Sequence, residues 1–421
     1  MQEPKLKRII FVHHTGILGG STANLLKIIK YLDRNIYDPV VLLLTDGPAK
    51  SLFESKNIEV YIRKNISIYP HCEEGYFHIR SFQPWKPITE WLKIIPSAIR
   101  LKKILIELNI DFVFINTSVQ LPTIIGSYLA GKKSILYIQE VFRKGTFGFR
   151  RYIYQKAIKY SINKLIVISK HNANSIPLEP KKTSIVYQLI DENLFNSSKD
   201  IIHFRKEFSL SDNAFVVGFL GGMIRHKGII VLLKSARKLL KKYDDIFFLI
   251  GGPKPKTMLV NHSLKRKIRL ALEKLLFIPN TEIEVNNLLN DKFMNEKIIF
   301  TGTTKDVSKL IGSSSLVALP GLVSQFGRPL CEAGMMSKAV VSSDFPSHRE
   351  IIDDGITGLF FKPNDHDDLA NKIEILYGDR SLLDSLGENR FNAEDGKYYE
   401  SKNAKKIIDV IDSLNKNNDV K

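Results

Sequence analysis

The chain has 421 residues, a length typical of two or three domains. Hydrophobic residues make up 44% and charged residues 25%, which is the balance of a protein with a buried core. Two cysteines, Cys72 and Cys331, are too few for a disulfide scaffold or a Cys-cluster zinc site. The first apolar run is too short for a secretory signal, and no run reaches the roughly 18 apolar residues of a membrane span. We therefore expect a cytoplasmic protein.

The charge is strongly basic and unevenly distributed. Lys and Arg total 62 against 44 Asp and Glu, which gives a net charge of +18. Residues 1–200 hold 29 basic and 16 acidic side chains, a net of +13, and residues 201–421 hold 33 and 28, a net of +5. Such an excess predicts an anionic partner, either nucleotide phosphates, nucleic acid or an acidic membrane surface. The alternative is a solvated basic face that only aids solubility.

Short apolar, β-branched runs that are typical of strands alternate with longer amphipathic stretches. In the first half the predicted strands are Arg8–Val12, Pro39–Thr45, Ile58–Ile62, Asp111–Ile115, Ser134–Ile138, Leu165–Ile168 and Ser184–Tyr187. In the second half they are Phe215–Leu220, Ile246–Ile250, Lys297–Phe300, Leu316–Leu319, Ala339–Ser342 and Gly358–Phe361. Near-continuous apolar strands indicate parallel sheets that helices cover on both faces. The pattern predicts an α/β protein with two doubly wound, Rossmann-like domains.

Helices are predicted at Thr22–Leu32, Gly228–Lys242, Arg328–Ser337, Asp367–Tyr377 and Asp395–Asn415. The polar stretch Asp191–Asp212 separates the two strand series. It divides the chain into an N-terminal domain of residues 1–200 and a C-terminal domain of residues 201–394. Two such domains in tandem predict a cleft, with ligands at the carboxyl ends of the strands.

Two glycine-rich stretches, Gly16–Ser21 and Gly221–Gly228, each follow the first strand of a domain and precede a helix. Glycine lets the backbone approach a ligand closely, and a helix that starts there offers free N–H groups to an anion. The first stretch lacks the G-x-G-x-x-G pattern, so a plain tight turn is an equal alternative. In the second, Lys227 stands at a helix start, where a bound phosphate would offset its unfavourable charge. The alternative is an exposed lysine.

A third motif, Leu319–Gly334, ends a strand, passes through Gly327 and begins a helix with Pro329. Glu332 falls in the first turn of that helix. A carboxylate there can accept hydrogen bonds from vicinal hydroxyls such as those of a ribose, or it can cap the helix.

The order and spacing of these motifs resemble the retaining GT-B-type glycosyltransferases, specifically glycosyltransferase family 4, the glycosyl transferases group 1. The resemblance covers roughly residues 215–377 and rests on Lys227-Gly228, Phe326-Gly327, Glu332-Ala333, Ala339–Asp344, Glu350–Leu359 and Pro363. The first half is similar more loosely, through Gly19-Gly20, Asn116-Thr117, Gln139-Glu140 and Val167–Ser169.

The resemblance implies a metal-independent enzyme without a cofactor. Its co-substrate would be a nucleotide diphosphate sugar, and its acceptor a glycan or a lipid-linked molecule. The sugar would be transferred with retention, in surface polysaccharide or glycolipid biosynthesis. The donor would bind mainly the C-terminal domain and the acceptor mainly the N-terminal one, onto which the helix at residues 395–415 would pack.

The same resemblance implies the site residues. Catalysis would fall to Lys227, Arg225 and Glu332. The donor would contact Gly19, Gly20, Gly222, Ser324, Phe326, Gly327, Arg328, Leu330 and Glu332. The acceptor side would hold His14, Gln139 and Glu140. No metal site is predicted, because His13 and His14 have no acidic partner at metal-site spacing.

Three positions depart from the family pattern. Ser324 stands where the family has a glutamate that contacts the donor sugar, and Gly222 stands where an arginine is common. Gln139 replaces a frequent histidine, and a glutamine cannot carry a proton. These departures leave a second reading open, in which the chain is a GT-B-type subunit that binds but does not catalyse.

Two further stretches bear on the partners. Phe142–Tyr152 interleaves basic and aromatic residues, but the small-domain pattern of an RNA-binding module is missing around it, so we expect no nucleic-acid partner. Trp85–Leu108 carries two tryptophans and five basic residues among many Ile and Leu. This composition predicts either a helix at the surface of an anionic membrane or a helix packed on the sheet with its basic face in solvent. The first reading would place the protein on the inner face of the plasma membrane.

Overall fold

The computed structural model describes residues 6–68, 86–140, 149–176, 179–195, 201–255, 280–302, 307–394 and 396–416. The contacts divide the chain into two compact units. Unit 1 comprises Met1–Leu189 and Tyr399–Lys421, and unit 2 comprises Ile190–Tyr398. Each unit is built around its own parallel sheet.

The sheet of unit 1 has seven strands, and every neighbouring pair is parallel. Strands β1 to β7 are Lys7–His13, Tyr37–Leu43, Glu59–Ile62, Phe112–Asn116, Lys133–Ile138, Lys164–Val167 and Thr183–Ile185. Their order across the sheet is β3-β2-β1-β4-β5-β6-β7. The chain therefore reverses its winding between β1 and β4, and ligands bind open α/β sheets at the carboxyl ends of strands beside such a point.

Helices cover this sheet. Helices α1 to α7 are Gly20–Lys30, Ala49–Glu54, Lys86–Leu92, Ile94–Glu107, Leu121–Leu129, Phe149–Ser161 and Lys170–Ser175. The strands supply a continuous apolar core, in which Val12, Leu42 and Ile115 have no exposed surface. Side chains of α4, α5 and α6 pack into the same core.

Unit 2 repeats the plan with six parallel strands. Strands β8 to β13 are Phe215–Phe219, Ile246–Ile250, Ile298–Phe300, Leu316–Leu319, Ala339–Ser343 and Leu359–Phe361. Their order is β10-β9-β8-β11-β12-β13, so the winding reverses between β8 and β11. The predicted α/β class and each of the thirteen predicted strands are thus confirmed.

The helices of unit 2, α8 to α15, are Ile201–Glu207, Ile229–Leu239, Thr281–Leu289, Lys292–Lys297, Val307–Ser313, Arg328–Gly334, His366–Gly378 and Arg380–Glu394. Helix α9 packs on α14, and both bury apolar faces in the core of this unit. Helix α13 ends at Gly334, earlier than the predicted Ser337, whose φ of 53° is left-handed and incompatible with a continuing helix. Among the described residues, no helix combines the length and apolar content needed to cross a bilayer.

The last helix, α16 (Glu400–Lys416), belongs to unit 1. Its Glu400 Oε2 lies 2.6 Å from Lys27 Nζ on α1, and Tyr37 Oη donates to Asp412 Oδ1 at 2.6 Å. The predicted helix at residues 395–415 begins later, at Glu400, after Gly396 takes a left-handed φ of 68°. The contact-based division after Leu189 also lies earlier than the predicted boundary at residue 200.

Candidate functional site

The loop after β8 in unit 2 contains two glycines with a left-handed backbone. Gly222 and Gly228 take positive φ values of 55° and 89°. A Cβ atom at Gly228 would lie 1.6 Å from the backbone oxygen of Pro320, in the loop that follows β11. The glycine therefore lets the loops after β8 and β11 touch, at the point where the winding of the sheet reverses.

Lys227 joins these two loops. It ends a single 3₁₀ turn, Arg225–Lys227, directly before Gly228 and α9. Its Nζ donates to Gln325 Oε1 at 3.0 Å, and the Leu322 N–H donates to the His226 carbonyl at 2.8 Å. The ammonium group is therefore held over the loop that follows β11.

A small cavity beside this junction opens to solvent. It is lined by His226, Lys227, Leu319, Gly321, Val323, Gln325, Phe326, Gly327, Pro329 and His348. Three of the residues predicted for the donor site, Lys227, Phe326 and Gly327, are among them. The interior of this cavity is small, so it would enclose only part of an extended ligand.

His348, which sequence reasoning did not select, lies beneath the cavity. It is 2% exposed, and its Nδ1 lies 2.8 Å from Ser342 Oγ and 2.9 Å from the Ser343 carbonyl oxygen. Ser343 Oγ donates to the Gly321 carbonyl at 2.8 Å. Burial lowers the pKa of His348 despite hydrogen bonds with the backbone of Ser343 and Gln325. A neutral imidazole therefore supports the floor of the cavity from below.

Ser324 occupies the position where the resemblance expects a glutamate. Its Oγ lies 2.9 Å from Ser347 Oγ, and Ser347 Oγ donates to the Gln325 carbonyl at 2.9 Å. Sequence reasoning missed Ser347 as well, because its partners are 22 and 23 residues away along the chain. Two neutral hydroxyls thus stand where a carboxylate was expected.

The remaining predicted residues of this unit lie around the cavity without lining it. Glu332 is buried, and its Oε1 accepts from Arg328 Nε at 2.7 Å, one turn earlier on α13. Arg225 Nη1 pairs with Glu284 Oε2 at 2.5 Å. Leu330 is fully buried and packs in the interior, and Gly222 contributes its left-handed backbone.

Unit 1 carries a buried polar network at the carboxyl ends of β1, β4 and β5. Thr22 Oγ1 donates to the Ile17 carbonyl, so it accepts from His13 Nε2, 3.0 Å away. Asn116 Nδ2 can then donate to His13 Nδ1 at 3.0 Å, which fixes a neutral imidazole with its proton on Nε2. Burial, with a smaller contribution from the neighbouring His14 ring, lowers the pKa of His13 to about 3, which agrees with this assignment.

Gln139 extends the same network. Its Nε2 donates to Asn116 Oδ1 at 2.8 Å, and its Oε1 accepts from Asn24 Nδ2 at 2.9 Å. Both ends of the amide are therefore engaged in positioning the network.

His14, Thr117 and Glu140 form the outer part of the site in unit 1. Thr117 Oγ1 lies 3.1 Å from His14 Nδ1, and Thr117 has a φ of 83°, a strained value for a β-branched residue. Glu140 Oε2 accepts from Ser118 Oγ at 2.8 Å, while burial raises the pKa of the Glu140 carboxyl and lowers that of His14 to about 4. Burial therefore disfavours the charged forms of both groups.

Gly19 is the N-cap of α1 and Gly20 is its first residue, at the end of an exposed loop. A Cβ added to either glycine would meet nothing within 4 Å. Their neighbours Ile17 and Leu18 are 66% and 53% exposed. This loop of unit 1 thus projects apolar side chains into solvent.

A search of the described residues for metal-ligating groups finds one cluster, Asp365, His366 and Asp367. It lies at the start of α14, where the Asp365 carboxylate caps the helix by accepting from the Asp367 and Asp368 N–H groups. Capping explains this cluster, and metal independence stays a prediction. The basic-aromatic segment at residues 142–148 and Trp85 lie outside the described residues.

Residues 200–393 match the family described as Glycosyl transferases group 1. Alpha-D-kanosaminyltransferase from Streptomyces kanamyceticus is 24% identical over 196 residues, which are 46% of this chain and 44% of that protein. Capsular polysaccharide biosynthesis glycosyltransferase CapM from Staphylococcus aureus is 22% identical over 189 residues, 45% of this chain and 43% of that protein. The matched region thus spans less than half the length of either relative.

Similarity to solved structures extends over nearly the whole chain. The crystal structure of Anabaena Alr3699/HepE in complex with UDP has a TM-score of 0.73 at 19% identity, and the alignment covers 97% of this chain and 100% of that one. The predicted GT-B fold, with two Rossmann-like domains, is therefore confirmed. Residues 200–393 are thus similar to the glycosyl transferases group 1 family, within a chain that has the GT-B fold.

Proposed function

We propose that the protein is a glycosyltransferase that moves a sugar from a nucleotide diphosphate sugar to a glycan or lipid-linked acceptor. The observation that carries the proposal is the cavity of unit 2, where Lys227, Phe326 and Gly327 meet inside the matched domain. The Anabaena protein of similar fold has been solved with UDP and with UDP-glucose, which makes UDP-glucose the first donor to test. The names of relatives such as CapM favour a role in surface polysaccharide or glycolipid biosynthesis.

Lys227 is the group we assign to the leaving diphosphate. When the bond to the anomeric carbon breaks, negative charge grows on the diphosphate oxygens, and a preorganised cation lowers the energy of that state. Gln325 already orients the ammonium through a 3.0 Å hydrogen bond, so little reorganisation is needed on binding. Such a cation supplies charge stabilisation that a metal ion gives in other transferases, which supports a metal-independent reaction.

Glu332 is assigned to the ribose hydroxyls. The Arg328 side chain fixes one of its carboxylate oxygens, and a carboxylate accepts several hydrogen bonds at once. We assign Glu332 a donor-positioning role rather than a proton transfer. Retention at the anomeric carbon remains part of the proposal through the family resemblance.

The serine pair Ser324–Ser347 is assigned to the sugar end of the donor. Ser347 donates to the Gln325 carbonyl, so Ser324 donates to Ser347, and the pair offers sugar hydroxyls uncharged acceptor oxygens in place of the charged ones of an ionised glutamate. A donor sugar recognised here would therefore be selected by neutral hydrogen bonds. Arg225 is assigned to outer charge stabilisation, because Glu284 already neutralises part of its charge.

The acceptor is assigned to unit 1, where His14 and Glu140 flank the strained Thr117. Glu140 would accept a hydrogen bond from an acceptor hydroxyl, and Gln139 would position Asn116. Gly19 and Gly20 present bare backbone that a ligand would approach closely.

The decisive experiment is a donor screen. The full chain is incubated with UDP-glucose and a panel of other nucleotide sugars, with and without EDTA, and release of the nucleoside diphosphate is measured. Release from one donor that survives EDTA supports the proposal, and NMR of the product gives the anomeric configuration. Tight nucleotide binding without release from any donor would instead support the non-catalytic subunit.

Two matched pairs of variants test the site. Lys227→Ala and Glu332→Gln should abolish most release, whereas Lys241→Ala and Glu388→Gln, exposed positions in the same unit, should not alter it. Equal activity in all four variants would contradict the site assignment.

A further inference from the structure

Helix α4 is apolar on two opposite faces. Its inner face packs on α5 so closely that a Cβ at Gly126 would lie 2.7 Å from the Ala98 carbonyl oxygen. Leu101 and Leu105 on this face have no exposed surface. This packing accounts for one apolar face of the segment and leaves the other unexplained.

The outer face carries large apolar side chains in solvent. Leu92, Ile95, Ile99 and Ile106 are 73%, 55%, 45% and 52% exposed. Their spacings of three, four and seven residues place them along one side of the α3–α4 segment. Tyr128 and Leu129 on α5 and Tyr152 and Tyr160 on α6 are exposed on the neighbouring helices. Eight of the 17 large hydrophobic side chains recorded as exposed among the described residues therefore lie on this one helical layer.

Basic side chains are interleaved with this apolar stripe. Lys102 and Lys103 lie between Ile99 and Ile106, and Arg100 flanks the stripe. On α6, Lys156 Nζ lies 5.5 and 5.8 Å from the ring centres of Tyr152 and Tyr160. Within α4 the single acidic residue is Glu107 at its end.

We propose that the outer face of α3 to α6 docks on the surface of an anionic lipid bilayer. Isoleucine and leucine would enter the boundary between headgroups and acyl chains, tyrosines would lie at headgroup depth, and lysines would contact lipid phosphates. A second copy of this chain fits less well, because it would oppose one basic stripe with another. This membrane docking involves only unit 1 and does not depend on which sugar the protein transfers.

The proposal resolves the two sequence interpretations of Trp85–Leu108. One interpretation was a helix packed on the sheet, and side chains of α4 do share a core with the strands of unit 1. Its opposite face, however, is mixed apolar and basic rather than simply basic. That combination is typical of interfacial helices and costly for a face that stays in water.

The test is co-sedimentation of the full chain with vesicles at low salt. One set contains equal parts of phosphatidylcholine and phosphatidylglycerol, and the other contains phosphatidylcholine alone. We expect pelleting with the first set, at least about tenfold weaker pelleting with the second, and release by salt. Equal binding to both sets, or to neither, would overturn the proposal.

Matched triple variants locate the surface. Ile95→Glu/Ile99→Glu/Ile106→Glu should lose vesicle binding, whereas Ile36→Glu/Ile356→Glu/Ile375→Glu should keep most of it. The control also replaces three exposed isoleucines and adds three negative charges, but outside the layer. Equal loss in both variants would show that net charge alone matters and would overturn the assigned face.

A milder variant guards against misfolding of the first. Lys102→Gln/Lys103→Gln removes two charges and should weaken binding to the anionic vesicles by about fivefold per lysine. Unchanged binding would contradict the proposal. Light scattering without vesicles tests whether a second copy of the chain binds this face instead. If the wild-type protein is a dimer and Ile95→Glu/Ile99→Glu/Ile106→Glu is a monomer, the face belongs to a dimer interface and the proposal is overturned.

Discussion

The two units place a glycine-rich loop at the same point of the fold, after the first strand of each sheet, but the two loops are built differently. In unit 2, Gly228 is pressed against the backbone of Pro320, and Lys227 is hydrogen-bonded to Gln325. In unit 1, Gly19 and Gly20 have no neighbour within 4 Å of a Cβ position. The loop of unit 1 is crowded only at Gly16, where a Cβ would lie 2.5 Å from the carbonyl carbon of Asp46, and it is open at Gly19 and Gly20.

The difference separates two uses of glycine. At Gly228 in unit 2, as at Gly16 in unit 1, glycine is required by the fold itself, because two loops could not otherwise touch. In unit 1 packing does not require Gly20, so a functional need for it would come from a ligand. Four predictions test this contrast, in order of decreasing expected effect.

Gly228→Ala should be the most damaging change. The new methyl group would overlap the Pro320 carbonyl, and a φ of 89° is strained for alanine, so we expect a loss of at least about 3 kcal/mol in the free energy of unfolding. Urea unfolding gives the value. Gly355→Ala is the control, because its φ of 74° is equally left-handed but its Cβ would meet open space, and its cost should be about 1 kcal/mol. Equal losses would show that crowding at Gly228 is unimportant.

Lys227→Ala should leave the fold intact and lower the turnover of the donor. Loss of one preorganised donor to a developing oxyanion typically costs about 10²–10³-fold in kcat. The free energy of unfolding should stay within about 0.5 kcal/mol of the wild-type value, as for the exposed Lys241→Ala. A variant that unfolds easily would mean that the Gln325 bond is mainly structural.

His13 should make stability depend on pH. Its pKa falls from 6.5 to about 3 in the native protein, so the unfolded chain binds the proton more readily. Above pH 6.5 His13 is neutral in both states, and its contribution to the free energy of unfolding is complete. As the pH falls from 6.5 toward 3, the unfolded chain takes up the proton first, and the free energy of unfolding decreases by up to about 1.4 kcal/mol per pH unit. His13→Gln should therefore show a shallower loss of stability between pH 6.5 and 5, measured by urea unfolding. Between pH 7 and 8 the two slopes should coincide, and a steeper loss in the variant would contradict the neutral assignment.

Gly20→Ala should have the smallest effect on stability. The methyl group of alanine at the first residue of α1 would contact no other atom. We therefore expect the free energy of unfolding to change by no more than about 0.5 kcal/mol, in the direction of higher stability. Donor turnover should nevertheless fall if the loop belongs to the site, because the added methyl group would obstruct a ligand that approaches bare backbone. Gly378→Ala, also uncrowded and exposed, should change neither property. Unchanged turnover in Gly20→Ala would remove the loop from the site.

The strands were predictable from sequence for a physical reason. A parallel strand covered on both faces must be apolar at nearly every residue, and runs such as Ile246–Ile250 have no other simple explanation. Helix ends were less predictable, because the end of α13 is set by the left-handed backbone of Ser337 rather than by its hydrophobic pattern. Local composition does not encode that turn.

The site was predictable only where a motif carries its own chemistry. Lys227 and Gly327 lie in motifs that begin where β8 and β11 end, and both line the cavity. His348 and Ser347 come from the loop after β12 and act through contacts with the loop after β11, more than 20 residues away. No spacing rule connects such residues, and only the tertiary fold shows that a serine pair replaces the expected glutamate.

The return of α16 to unit 1 has a consequence for synthesis of the chain. The Lys27–Glu400 ion pair and the Tyr37–Asp412 hydrogen bond cannot form until Glu400 and Asp412 leave the ribosome, which happens after the whole of unit 2 is synthesised. Unit 2, by contrast, is one continuous segment whose ends meet through a hydrogen bond from the Ile190 N–H to the Tyr398 carbonyl at 3.1 Å. Unit 2 can therefore fold during translation, whereas the surface of unit 1 that α16 covers stays exposed until the final helix is released.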